Sequence, residues 1–105
     1  MICALTVRHL EPGTFEDFRT AFMTLAGADD LPSGWVRFNM VRGVDDPNEV
    51  VCFGFFDGTL DDMRASQSDA GRETQAREIE PFVAATGADG VYEVVEDLAA
   101  ASGSA

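Results

Sequence analysis

The chain contains no lysine and a single histidine, His9, among 105 residues. All seven basic residues are arginine, set against nineteen carboxylates, and the formal net charge is -12. Such a balance opposes phosphate binding, so neither nucleic acid nor an anionic membrane is an expected partner. Cysteine is almost as scarce. Two thiols, Cys3 and Cys52, and one imidazole do not make a structural zinc or iron–sulfur site, so no metal ligand set is expected. Both cysteines sit inside apolar runs, which reads as two buried reduced thiols in an intracellular protein, with a disulfide as the other possibility. No apolar run approaches the roughly 20 residues that span a bilayer, and residues 1–10 lack the basic start and apolar block of a signal peptide. A cytoplasmic location is the expectation. A P-loop, a Gly-rich dinucleotide fingerprint and a Gly-flanked serine nucleophile are also missing.

What the chain does have is apolar material. With 46% hydrophobic residues and eight phenylalanines it is too apolar for a disordered chain, despite its charge. Its length suits one domain, placed at residues 1–98, followed by a frayed tail of small residues at 99–105.

Residues 2–10, ICALTVRHL, carry β-branched side chains and end at Glu11-Pro12-Gly13, which predicts a strand. Thr14 and Asp17 have the spacing of a capping box, and Phe15, Phe18, Phe22 and Leu25 recur every three or four residues. The expectation is a helix with one aromatic face that stops near Gly27. After a loop over 29–34, the stretch 35–44 alternates. Val36, Phe38 and Met40 are assigned to the core face, with Trp35, Arg37, Asn39 and Val41 on the other. Asp45-Asp46-Pro47-Asn48 is a turn, and residues 50–56, VVCFGFF, are apolar on both faces, as suits a central strand. Thr59 and Asp62 repeat the capping pattern ahead of a short helix. A further helix is expected over 69–79, ended by Pro81, with one more turn at 82–85. Residues 86–90 read as a turn and 91–98, VYEVVEDL, as the last strand.

The order strand, helix, strand, strand, helix, strand predicts an α+β, ferredoxin-like βαββαβ sandwich, with a four-stranded antiparallel sheet and both helices on one face. The first and third strands are expected at the centre, as parallel neighbours. The helix-free face would show Trp35, Val41 and either Val50 or Val51, and an apolar face of that size marks an interface. A homodimer that stacks sheet on sheet through this open face, a dimeric α/β barrel, satisfies it.

This element order, together with the hairpin VRGVDDPNEVVCFGFF at residues 41–56, resembles the dimeric α/β-barrel superfamily and within it the antibiotic biosynthesis monooxygenase-like group. The resemblance covers residues 2–98 as architecture. It implies cofactor-independent oxygenation of a small aromatic, quinol or polyketide-like substrate, without a bound cofactor. Many oxygenases of the group have an acidic residue and Trp at the end of the third strand and a His on the next helix. Here Phe55-Phe56-Asp57-Gly58-Thr59 and Met63-Arg64-Ala65-Ser66 stand there, so the helix-borne ligand that haem degradation needs is missing. The alternative function is a non-catalytic dimeric module that binds a small apolar ligand or a protein partner.

Candidate site residues follow from residue chemistry. His9 is a general base near neutrality or an ordinary strand-end histidine. Asn39 and Arg37 are donors suited to a substrate anion, and Trp35 can stack on an aromatic ring, although all three also suit the dimer interface. Phe22, Phe38 and either Phe53 or Phe55 would wall a pocket between helices and sheet, or form core alone. Tyr92 is an edge or interface aromatic. The acidic pairs Asp29-Asp30, Asp45-Asp46 and Asp61-Asp62 fall in turns or a first helical turn, which disfavours a paired-carboxylate hydrolase.

Overall fold

The computed structural model describes residues 1–26, 33–67 and 69–98. The expected helix stop near Gly27, the loop at 29–32 and the tail at 99–105 lie outside them. Strand β1 (Ile2–Leu10) leads through the Pro12-Gly13 turn into helix α1 (Phe15–Ala26). Strands β2 (Trp35–Arg42) and β3 (Glu49–Phe56) form the hairpin. Helix α2 (Leu60–Ala65), helix α3 (Asp69–Ile79), a 3-10 turn (Glu80–Phe82) and strand β4 (Val83–Glu93) follow. This is the expected α+β, ferredoxin-like order, with the second helical stretch in two pieces. No helix among the described residues is long and apolar enough to cross a membrane.

The strands form one sheet in the order β2-β3-β1-β4. β1 and β3 are central, as their apolar content predicts, but they run antiparallel rather than as parallel neighbours. The reason is topological. The α1 crossover makes β1 and β2 run the same way, the hairpin reverses β3, and β3 lies between them, so it opposes both.

Residues directly opposed in an antiparallel sheet share a face. On β3, Val50, Cys52, Gly54 and Phe56 are buried, while Val51, Phe53 and Phe55 between them are half-buried. The buried set faces the helices, where Leu10, Phe18, Phe22, Val50, Cys52 and Ile79 form the core and Phe38, Met40, Phe82 and Val83 pack against it. The other set aligns with Cys3, Leu5 and Val7 on β1 and with Arg37, Asn39 and Val41 on β2, forming an open face.

β2 breaks the expected alternation. Its register steps from Trp35 opposite Phe56 to Arg37 opposite Phe55, which leaves Val36 as an extra residue, 59% exposed. A bulge of this kind resets the facing of everything before it. Trp35, expected on the open face, therefore joins Phe38 and Met40 on the helix face, and Val36, expected in the core, is in solvent.

β4 departs further. Residues 86–90, expected as a turn, are strand, the extra helical turn at 82–85 is replaced by the 3-10 turn and the start of β4, and the strand ends at Glu93 rather than residue 98. Register shifts fall between Thr6 and Arg8 and between His9 and Leu10 of its partner β1. The small residues of 84–90 suit an edge strand, which needs hydrogen bonds on one side only, and β1 supplies them. At the sheet's end Val94 N–H donates to the Met1 carbonyl at 3.0 Å.

The two capping patterns diverge. Thr59 accepts from the Asp62 N–H at 3.1 Å and caps α2 as predicted. The Thr14 hydroxyl instead donates to the carbonyls of Glu11 at 2.6 Å and Phe82 at 3.3 Å, fastening the start of α1 to the 3-10 turn.

Candidate functional site

The helical period of Phe15, Phe18 and Phe22 turns this stripe toward the sheet, where Phe18 and Phe22 are buried. Their ring centroids are 5.7 Å apart, and Phe22 stacks on Phe38 of β2 at 5.5 Å with an interplanar angle of 17°. The structure thus brings together the predicted pair Phe22 and Phe38. Arg42 lies over the outer ring of the stripe, its guanidinium carbon 4.3 Å from the Phe15 centroid.

Alternation along β1 places Arg8 on this same face, between Thr6 and Leu10. Its guanidinium carbon is 5.8 Å from the Phe18 centroid and 5.6 Å from that of Phe22. Nη1 is shut off from solvent and has no hydrogen-bond partner. The ion pairs found among the described residues join His9 to Glu49 and Arg19 to Glu16, not Arg8 to an acid. The sequence reading passed over Arg8. The available signal was a charge in the row Ile2, Ala4, Thr6, Arg8, Leu10 of a strand otherwise read as apolar.

Cys52 lies near Arg8 on the same face. Burial pushes its thiol up to about 11, against the opposing pull of the Arg8 charge. Burial also raises Cys3. Both cysteines are free, and a raised thiol is a poor nucleophile at neutral pH.

Toward α2, the Trp35 indole meets Phe56 edge-on at 5.4 Å and 72°. Its N–H donates to Ser66 Oγ at 3.1 Å, and that hydroxyl donates to the Met63 carbonyl at 2.6 Å. A Cβ at Gly54 would stand 3.0 Å from the indole, so glycine there leaves room for the ring to lie across β3. The Phe56 ring fills the space where Gly34, at φ +94°, and Gly58, at φ +154°, would otherwise carry side chains.

The remaining candidates lie elsewhere. Arg37, Asn39 and Phe55 are on the open face by register, where Phe53 and Phe55 meet edge-on at 5.9 Å. His9 ends the open-face row of β1, its Nε2 3.7 Å from Glu49 Oε2. Asn39 is level with Phe53 and hence with Leu5, about 13 Å along β1 from His9 at a strand's usual rise. The structure therefore brings neither residue to the aromatic stripe, nor the two to each other. His9, Asp46 and Glu49 do offer three potential metal-ligating atoms within 4.8 Å of one another. The Asp46 carboxylate already accepts from the Asn48 N–H at 3.1 Å, so the trio also reads as a turn beside a surface ion pair.

No protein-family model and no curated protein matches the sequence. Solved structures do. The chain is similar to a "Putative antibiotic biosynthesis monooxygenase from Nitrosomonas europaea" at 19% identity, covering 91% of this chain and 100% of that one, with a TM-score of 0.75. It is similar to SnoaB, a cofactor-independent oxygenase from Streptomyces nogalater, at 18% identity over 92% and 95% of the two chains, with a TM-score of 0.73. A protein described in the same words as the first, from Caulobacter crescentus CB15, gives 13% identity, 90% coverage of each chain and a TM-score of 0.74. At these identities what is shared is the fold, and the chain has the α+β ferredoxin-like fold of antibiotic biosynthesis monooxygenase-like structures, the group that its element order and hairpin resemble.

Proposed function

We propose that this chain is a homodimer of the cofactor-independent monooxygenase type that holds a small aromatic, quinol or polyketide-like substrate beneath α1. The observation that carries the reading is the cluster of Phe18, Phe22 and Phe38 on the helix face, within a fold shared with a cofactor-independent oxygenase. An electron-rich substrate can itself reduce oxygen. The protein's part is then to keep the reacting ring out of water, position it and stabilise its anion. The stacked Phe22–Phe38 pair would form one wall against the ring, and Trp35 borders the site on the α2 side. The open face supports the dimer. Leu5, Val7, Val51, Phe53 and Phe55 make a continuous apolar surface on the side of the sheet away from the aromatic cluster, so pairing through it leaves the proposed site free.

Oxygen uptake with a panel of naphthoquinols and anthrones tests the reading. The expected result is uptake above the protein-free rate that survives chelation and falls about tenfold or more in kcat/KM for Phe38→Ala, through lost positioning. No uptake above background across the panel would overturn the enzyme reading. A second reading then stands, a non-catalytic dimeric module for an apolar ligand or partner. It is favoured by the position of the single imidazole, His9, at the open-face end of β1, away from the aromatic cluster.

A further inference from the structure

We propose that Arg8 is the anion-recognition residue of the site beneath α1, so that its ligand is a planar aromatic bearing an anionic oxygen group next to the ring. The proposal rests on the reading that this site, rather than the open face, holds the ligand.

Arg8 occupies a position that packing alone does not explain. Its neighbours on the core-facing row are Ile2, Ala4 and Leu10, all apolar, and Thr6, whose hydroxyl donates to Asp89 at 3.0 Å. Arginine carries five N–H donors, accepts nothing and stays charged in proteins, so a guanidinium nitrogen shut off from solvent without an acceptor, as Nη1 is, is costly. Acids are abundant in this chain, nineteen of them, yet none of those described forms an ion pair with Arg8. Cys52, within hydrogen-bonding reach of Arg8, stays a neutral thiol at ordinary pH, so it offers a weak sulfur acceptor and no counter-charge.

The Phe18 and Phe22 rings attract the cation and the Cys52 sulfur takes one weak hydrogen bond from it, but Nη1 is left without any acceptor. Arg8 as a residue is only half-buried, so a solute can reach it. What the site lacks is an anionic oxygen acceptor for the guanidinium fork, and what it offers beside that fork is aromatic surface. An arene carboxylate or an ionised phenol supplies both parts in one molecule.

Titration calorimetry with 2-naphthoate, its uncharged isostere 2-naphthamide, and acetate tests this. In the native protein 2-naphthoate should bind about tenfold or more tightly than 2-naphthamide, the worth of a charge-assisted bond, and acetate should not compete. Arg8→Gln should bring the two naphthalenes to equal affinity, near that of the amide, whereas Arg77→Gln on the exposed face of α3 keeps the preference. Arg8→Met gives a readout that a purely structural arginine would not produce. It should raise the Tm, because the unpartnered, solvent-shielded Nη1 of a charged group is replaced by apolar surface, while abolishing the preference for naphthoate. Equal binding of the two naphthalenes by the native protein overturns the assignment to Arg8 and leaves the aromatic site standing. A preference retained in Arg8→Gln, or a lowered Tm in Arg8→Met, also overturns it. Failure of both naphthalenes to bind overturns the assignment and the site together.

Discussion

At the scale of single residues, Ser66 does two jobs. It accepts the Trp35 indole N–H and donates to the Met63 carbonyl, so one hydroxyl ties β2 to the end of α2. Ser66→Ala leaves a half-buried indole N–H without its acceptor. The expected loss is about 1–2 kcal/mol in urea unfolding, with a shift in tryptophan emission as the ring loosens. Cys52 yields a pH dependence. Its thiol ionises near the ordinary value of 9.0 in the unfolded chain and only at about 11 in the folded one. Between those values the unfolded state binds fewer protons, so stability is intact below about pH 9 and falls as pH rises toward 11. The span corresponds to at most about 2–3 kcal/mol. Urea midpoints taken at about pH 8 and about pH 10.5 should differ in the native chain, and Cys52→Ala should narrow that difference. Reading the sequence placed both thiols in apolar runs but missed Arg8, because a strand dense in β-branched residues hides one charge unless its two faces are read separately.

Among the elements, β3 was the most legible and β4 the least, for opposite reasons. Residues 50–56 have no polar side chain to offer water on either face, so a central position follows from the sequence alone. Residues 84–90 are small and glycine-containing, the composition of a turn, and become strand because β1 offers a free hydrogen-bonding edge that no local pattern reveals. In β2 the elements were right and the facing was wrong for Trp35 and Val36, since the hydrophobic alternation of 35–41 carries no mark of the extra residue. That bulge can be tested directly. Replacing exposed Val36 by Ser should change stability by no more than about 0.5 kcal/mol. Deleting Val36 would turn Trp35 away from Phe56 and Ser66 and should cost about 3 kcal/mol or more, read as a drop in the denaturant midpoint.

For the whole molecule the sheet has two unlike sides, one covered by helices and one apolar but open. The sequence foretold that an open side exists and that Val41 lies on it with either Val50 or Val51; the register selects Val51, and the aromatic content proves to be Phe53 and Phe55 rather than Trp35. If that side pairs two copies, native mass spectrometry should report a dimer for the native chain and a monomer for Phe53→Glu at micromolar concentration, since a carboxylate there would be buried without a partner. A monomeric native chain would sink the dimer reading. One contact at the rim of the sheet also bears on how the fold is wired. Because Val94 is hydrogen-bonded to Met1 and Glu93 lies opposite Ile2, the outgoing and incoming ends of the domain are neighbours on adjacent antiparallel strands. A short link between them would turn β4 and β1 into a hairpin, and a cut in the exposed turn at residues 45–47 would then supply new ends. The arrangement of strands and helices is therefore separable from the order in which the chain visits them, which makes the domain a natural candidate for circular permutation or for insertion into another protein.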